Sequence, residues 1–261
     1  NAVFMTGQNA VQCQVGASGP VALRGATSLY RSQACATALN SLIRASSSRP
    51  LENEHSSVVR RALDANAQPT GALAGLPALA TPFDSGSSLA TQLQMVARII
   101  AARSQLGASR QVFFVSIVGF DLHDYLLDQH PLLLSNIANA LNSFYAATVE
   151  LGIANSVTSF TASDFGRTLT SNGDGSDHGW GSHHFVLGGA VNGGRFYGNL
   201  PSVSVNGPDD VGQGRLLPTT SVDQLAATLA SWMGVSDADL PLVVPNIGNY
   251  STRNLGLFTA L

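Results

Sequence analysis

The chain has 261 residues, a net charge of −3 and only 11% charged side chains, and all thirteen basic residues are arginine. Binding to a nucleic-acid backbone needs clustered cations, and a membrane-spanning helix needs about 20 predominantly apolar residues in a row. The sequence has neither feature, so we expect no nucleic-acid partner and no membrane span. Its length suits one large domain with a substantial core.

The first third of the chain combines strand, helix and loop patterns. Residues 1–30 alternate apolar and polar side chains on either side of a short turn, which is typical of a β-hairpin. Residues 31–66 have the pattern of two helices, with a break near residues 46–50. The Pro- and Gly-rich residues 67–86 show no period, and we interpret them as a long loop or a lid.

The middle of the chain alternates helices and strands. Apolar residues recur at helical spacing over residues 87–107, and Gly107 supplies the stop. Residues 112–118 are apolar on both faces, as is typical of a central parallel strand covered by helices. A second helix is predicted over residues 131–151, with Pro131 at its first position. This alternation indicates an α/β protein.

The last third continues with shorter elements. Residues 156–161 and 185–191 have the composition of strands. A turn at 192–194 predicts a second hairpin that returns through residues 195–197. A helix over residues 221–233, capped by Ser221, follows.

Three polar clusters hold five of the six histidines. The first runs from Gly119 to His123 and leads on to His130, the second covers residues 163–168, and the third covers residues 177–184. The first two follow strand-like runs and the third precedes one. Loops at the carboxyl ends of parallel strands converge on one crevice, and metal sites need oxygen and imidazole ligands of this kind. The clusters therefore predict a shared functional site.

Several candidate residues allow both a functional and a structural interpretation. Asp121 and His123 suit a ligand pair in an irregular loop, although Asp also bonds its own backbone in turns. His130, at the expected start of the second helix, suits capping as well as function. Asp164 suits a metal or substrate contact, or a turn cap. Arg167 suits a bidentate clamp on phosphate or sulfate.

The third cluster offers an acid-base pair and two further histidines. Asp177 and His178 are adjacent in a Gly-rich segment. His183 and His184 begin a strand and point opposite ways, so at most one of them faces the crevice. The glycine pairs do not fit a dinucleotide or phosphate loop, and no Gly-x-Ser-x-Gly elbow is present.

The motifs GFDxH at 119–123, DFGRT at 164–168 and DHxW at 177–180, with the glycine-rich run at 188–194, resemble the bacterial domain-of-unknown-function family 1501. That family is placed in the alkaline-phosphatase and sulfatase superfamily, and the resemblance covers residues 90–261 best. It implies a doubly wound, mostly parallel sheet flanked by helices. It also implies an exported, periplasmic or secreted, metal-dependent hydrolase of phosphate or sulfate esters.

The resemblance also implies a site for two divalent ions about 4 Å apart, with zinc, manganese, magnesium and calcium as candidates. The matching positions are Asp121 with His123 or His130 for the first pair, Asp164 for the second, His178 or His184 for the late histidine, and Asp177 or His183 as a substitute ligand. Arg167 and His184 are the expected catalytic residues. Position 165 is Phe where such a metal-binding protein would have His.

Members of the superfamily carry their nucleophile and first metal-binding Asp near the N-terminus, on strands this chain lacks. We therefore expect residues 1–261 to be a single α/β domain, the C-terminal portion of a longer protein whose N-terminal segment is a further partner. Besides the ester substrate of a hydrolase, two alternatives stay open. One is a non-catalytic secreted binding or structural module, which Phe165 motivates. The other is a metal-free serine esterase.

Overall fold

The computed structural model describes residues 2–6, 12–16, 19–20, 33–45, 47–57, 72–73, 75–107 and 109–259. They fall into two compact units. The first consists of the residues up to Ile117 together with Asn142–Ala147, and the second of Val118–Leu141 together with Thr148–Leu261. The chain is a mixed α/β protein with small antiparallel sheets. All candidate site residues lie in the second unit.

The sheet of the first unit has the order β3-β2-β1-β4 and is antiparallel throughout. Its strands are β1 (Ala2–Thr6), β2 (Gln12–Gly16), β3 (Gly19–Pro20) and β4 (Gln111–Phe114). Ala2 lies opposite Val15, which confirms the N-terminal hairpin, although its turn at residues 7–11 is outside the described part of the chain.

The prediction of a central, doubly covered parallel strand at residues 112–118 is wrong. β4 ends at Phe114 and pairs antiparallel with β1, with Val3 opposite Phe114. Val112 and Phe114 are 55% and 62% exposed, because β4 is at the end of the strand order and only one of its faces is covered. A continuous apolar run does not reveal how many faces of a strand are buried.

The helices of the first unit agree with the sequence pattern. They are α1 (Gln33–Arg44), a helical segment at residues 50–57, α2 (Ser88–Ala101) and α3 (Arg103–Leu106). The break between the first two confirms the predicted pair of helices. Residues 58–66 and 67–71, which belong to the predicted second helix and loop, lie outside the described residues. Residues 75–86 contain neither helix nor strand, and a lid function for them stays a prediction.

Local signals explain the bounds of α2 and α3. Ser87 accepts a hydrogen bond of 3.1 Å from the Ala90 amide at the start of α2, and Gly107 ends α3 with φ of 63°. The predicted apolar stripe is buried over Leu89, Leu93, Val96, Ile99 and Ile100.

The long helix α4 (Leu126–Glu150) belongs to the second unit except for Asn142–Ala147. It starts five residues earlier than predicted, so Pro131 lies inside the helix rather than at its first position. The Asp174 backbone carbonyl and carboxylate accept hydrogen bonds from the amides of Leu126 and Tyr125. This contact from a distant turn starts the helix before the proline, and no local pattern encodes it.

Two small antiparallel sheets follow α4. β5 (Thr158–Phe160) pairs with β8 (Val186–Gly188), and β6 (Gly166–Ser171) forms a hairpin with β7 (Ser176–Gly179). All pairings between the described strands are antiparallel, so the doubly wound, mostly parallel sheet stays a prediction.

The predicted return hairpin after residue 191 is wrong. Residues 195–197 form no strand in the structure. Val191 instead makes an antiparallel bridge with Phe258, and the Asn192 amide donates a 2.8 Å hydrogen bond to the Leu257 carbonyl. The partner therefore comes from the end of the chain rather than from the next few residues.

The predicted helix at 221–233 is confirmed as α5 (Val222–Trp232). Ser221 and Gln224 form a reciprocal capping box at its start. The helix packs with the short α6 (Leu240–Val243) in a core that contains Ala227, Leu240 and Ile247. No helix within the described ranges is long and apolar enough to cross a membrane.

Candidate metal site

Asp121 and His123 lie in the loop before α4, and the β6–β7 hairpin holds this loop in place. The Ser176 amide donates to the Leu122 carbonyl at 3.4 Å. Gly175 faces the carbonyl oxygens of Leu122 and His123 so closely that a Cβ atom there would collide with both. The position therefore needs glycine, and its absent side chain lets the hairpin approach the loop.

One oxygen of Asp121 is the centre of the site. Its Oδ1 atom lies 2.7 Å from Nε2 of His178, 3.0 Å from Nε2 of His123 and 3.2 Å from Nη1 of Arg167. Asp121 comes from the loop before α4, whereas His178 and Arg167 lie opposite each other on β7 and β6. The hairpin register thus brings the third polar cluster onto the first.

The surroundings of Asp121 favour its ionised form. The hydrogen bond from His178 lowers the pKa of the carboxyl group most, and Arg167 and the charges of both histidines add to this effect. Desolvation raises the pKa and is second in size to the His178 hydrogen bond, but the combined effect is a lowered pKa. An ionised carboxylate is the form that binds a cation.

The three side chains fit a divalent cation. One ligand atom from each of Asp121, His123 and His178 lies within 4.8 Å of the other two. Two imidazoles and a carboxylate are the protein ligands of several catalytic zinc centres, which keep another position open for water or substrate. About half of each side chain is exposed, so the group is accessible from solvent.

Asp177 supports the group from outside rather than from its centre. Its Oδ1 atom lies 3.3 Å from Nδ1 of His123, the ring nitrogen that does not face Asp121, and it also accepts a 3.1 Å bond from Asn172. A carboxylate on the second nitrogen of a metal-binding histidine fixes the orientation of the ring. The ligand role predicted for Asp177 stays a prediction, and its geometry suits this supporting role.

Phe165 packs directly on His178. The two rings are stacked with 3.9 Å between centroids and 6° between planes. The His123 ring lies 5.1 Å from the His178 ring, measured between centroids, and is tilted by 36° to it. The stack with Phe165 restricts rotation of the His178 ring.

The guanidinium of Arg167 already donates hydrogen bonds to other groups of the protein. Its Nε donates to the Ser176 hydroxyl at 3.0 Å, its Nη2 donates to the backbone carbonyls of Ser176 and Leu122, and its Nη1 donates to Asp121. These bonds engage four of the five N–H groups of a guanidinium. The expected bidentate clamp needs two free donors, so the catalytic role of Arg167 stays a prediction that this geometry does not favour.

The other candidate residues have neighbours other than Asp121 in the described part of the chain. His184 lies 3.3 Å from the Thr161 hydroxyl and 3.4 Å from the Ser182 hydroxyl. Desolvation, followed by the charge of His183, lowers the pKa of His184. His130 lies inside α4 and is therefore not an N-cap. Its ring packs edge-on against Phe120, with 5.9 Å between the ring centroids. Asp164 is exposed.

Sequence analysis missed three supporting residues: Phe165 as a packing partner, Asn172 and Ser176. The turn sequence Asn172-Gly173-Asp174-Gly175 between short strands is a hairpin signal. Recognition of that hairpin would have paired Ser171 with Ser176, whereas the register shift that puts Arg167 opposite His178 is visible only in the structure.

Fold and site together define a mixed α/β protein with an exposed Asp-His-His cluster. Residues 27–243 match the family described as "Protein of unknown function (DUF1501)", and the chain belongs to that family. This confirms the family resemblance, whereas the placement in the alkaline-phosphatase and sulfatase superfamily stays a prediction. No curated protein and no solved structure matches the chain.

Proposed function

We propose that this protein is an exported metal-dependent hydrolase of phosphate or sulfate esters with an alkaline-phosphatase-like, doubly wound fold. The observation that carries the proposal is the convergence of Asp121, His123 and His178 from two distant segments within 4.8 Å. Membership of the family supports it through the resemblance of its motifs to the superfamily.

Asp121, His123 and His178 would hold zinc, manganese, magnesium or calcium. When bound, such an ion polarises an ester oxygen and lowers the pKa of a coordinated water. Asp121 supplies the negative charge, and Asp177 orients His123 through Nδ1. Phe165 and Arg167 hold His178 and Asp121 in place.

The charges of the site suit an anionic substrate. Arg167 is positively charged and only 21% of its side chain is exposed, so solvent screens it less than the rest of the group. Together with a divalent ion, it leaves a net positive field around Asp121. That field favours the approach of a phosphate or sulfate ester, either a small molecule or a polymer.

The test combines metal content with turnover. The purified protein is analysed for divalent metals and assayed with 4-nitrophenyl phosphate and 4-nitrophenyl sulfate, before and after treatment with a chelator. We expect the protein to hydrolyse at least one of these esters, chelation to abolish this activity and added metal to restore it. Asp121→Asn should lower the activity more than ~100-fold because a metal ligand is lost. A purified protein that contains no divalent ion and hydrolyses neither ester would contradict the proposal.

The second candidate function is a non-catalytic secreted binding or structural module. The observation that favours it is Phe165, which has no donor atom at a position where the superfamily resemblance implies a histidine and which stacks on His178. Under this alternative, Asp121→Ala and His178→Ala leave ligand binding intact. Loss of binding in both variants, without loss of folding, would count against it.

A third candidate is a metal-free serine esterase, favoured by the hydroxyl of Ser182 at 3.4 Å from Nε2 of His184. Thr161 lies on the other ring nitrogen, at 3.3 Å, where an orienting group would be needed. A fluorophosphonate probe would then label Ser182, and His184→Ala would abolish the labelling. Absence of labelling in the intact protein rejects this function.

Export belongs to the same proposal. It is supported by the family resemblance and by the lysine-free composition. Fractionation of cells that produce the natural protein is the direct test, and recovery in the cytoplasmic fraction alone would contradict export.

A further inference from the structure

The geometry points to a site for one divalent ion rather than two, with Phe165 as a positioning residue that fixes His178. This inference rests on the proposed function, because it concerns the same site. It departs from the two-ion arrangement that the superfamily resemblance implies, and it follows from the donors, the packing and the charges around Asp121.

The metal-ligating side chains around Asp121 provide the ligands for one ion. Within the described part of the chain, Asp121, His123 and His178 form the one group of three metal-ligating side chains with mutually close atoms. The carboxylate that contacts this group from outside is already engaged, because Asp177 Oδ1 faces His123 Nδ1 and accepts from Asn172. A second ion about 4 Å away would need ligands of its own, whereas Asp177 is held against His123 and Asn172.

Phe165 closes one side of the group. Its ring lies parallel to the His178 imidazole at 3.9 Å, which is van der Waals contact and leaves no space for an ion between the rings. Phenylalanine offers no lone pair, so this side also lacks a ligand. The stack fixes the plane of His178 and so directs Nε2 towards Asp121 Oδ1, 2.7 Å away.

Charge gives the third reason. Asp121 and Asp177 contribute two negative charges to the group, and Arg167 contributes one positive charge at 3.2 Å from Asp121 Oδ1. One divalent ion brings this set to a net charge of about +1, whereas a second would leave about +3 without further carboxylates. Like charges within a few ångströms oppose the second ion.

The number of bound ions is the primary test. The full chain is dialysed against increasing free Mn²⁺, and bound manganese is measured by elemental analysis beside Asp121→Asn, whose content is subtracted as background. We expect saturation at one Asp121-dependent ion per chain, with an electron paramagnetic resonance spectrum free of Mn–Mn coupling. Two coupled ions would overturn the inference and leave the proposed function standing. No Asp121-dependent ion would overturn both.

The role of Phe165 is tested separately by Mn²⁺ affinity. Phe165→Leu keeps an apolar side chain but loses the ring stack, and we expect a 10- to 100-fold weaker Mn²⁺ affinity, the usual size of such supporting effects. Phe165→Tyr keeps the stack and should bind Mn²⁺ as tightly as the wild type. A general effect of substitution at this position on stability would not explain that difference between the two variants. Phe160→Leu on β5 is the matched control. Unchanged affinity in Phe165→Leu would overturn the positioning role.

Discussion

At the scale of single residues, Arg167 determines how the Asp121 loop meets the hairpin. Its guanidinium joins the Asp121 carboxylate, the Leu122 carbonyl and Ser176, and Ser176 is buried. Because a guanidinium has five donors in a fixed plane and an ammonium has three on a flexible stem, lysine cannot reproduce this set. Arg167 therefore links two segments that are 45 residues apart in the chain through hydrogen bonds.

We expect Arg167→Lys to lower the free energy of unfolding by about 1–3 kcal/mol, because buried acceptors lose their donors. It should also weaken the affinity for a divalent ion, since Asp121 loses its anchor. Urea unfolding and metal titration measure the two effects, with the exposed Arg195→Lys as control. A normal stability combined with a raised KM for an ester would instead indicate the substrate clamp.

Asp210 gives a prediction on pH. Its pKa is lowered, chiefly by a hydrogen bond from the Asn206 amide, with further backbone bonds from Gly212, Gly214 and Arg215 outweighing desolvation. A carboxyl group whose native pKa is below its unfolded value of about 3.8 stabilises the fold above that pH, and the contribution is lost as pH falls through the native pKa.

The stability difference between the wild type and Asp210→Asn should therefore be present at pH 6 and shrink below pH 4. Urea unfolding at several pH values measures it, and the exposed Asp237→Asn serves as control. A difference that stays constant down to pH 2.5 would contradict the assigned hydrogen bonds.

At the scale of elements, the close approach of the β6–β7 turn to the metal-site loop depends on Gly175. We expect Gly175→Ala to destabilise the protein by about 1–3 kcal/mol, because the new Cβ atom collides with the carbonyls of Leu122 and His123. Thermal unfolding and metal content measure the effect. Gly248→Ala is the control, since a Cβ atom there meets nothing within 4 Å. Equal stability of the two variants would show that the hairpin does not press on the loop.

A second prediction at this scale concerns α2 and the segment after β4. The side chain of Gln92 accepts from the Ser116 amide at 3.2 Å and donates to the Ser116 carbonyl at 2.9 Å. Gln92→Ala removes both bonds, and we expect a loss of about 1–3 kcal/mol in the free energy of unfolding. Gln94→Ala, on the same helix, is the matched control for helix propensity. A loss of similar size in both variants would contradict a specific role of Gln92.

The elements also show how far sequence reasoning reaches. α2 and α5 were predictable because caps and apolar periodicity are local, as at Ser87 and Ser221. The early start of α4 and the pairing of Val191 with Phe258 depend on distant residues, and local patterns do not contain them. The same holds for β4, whose exposure follows from its position at the end of the sheet.

At the scale of the whole molecule, sequence predicted the gathering of polar clusters better than the role of each member. The meeting of Asp121, His123 and His178 agrees with the predicted convergence. The positions of Asp177, Arg167 and Phe165 follow from the β6–β7 register, in which residue 167 faces residue 178. A one-residue shift in register would exchange inward and outward side chains, so these roles need the structure.

Metal content is the measurement that tests the central claim most directly, because the proposed chemistry requires a cation on Asp121, His123 and His178. The purified full chain and its Asp121→Asn variant, both verified as folded by circular dichroism, are dialysed against the same buffer containing trace zinc and manganese. Their metal content is then compared by elemental analysis. We predict a stoichiometric divalent ion in the first protein and its loss in the second. A folded protein without the ion, or an ion that Asp121→Asn retains in full, would contradict the account.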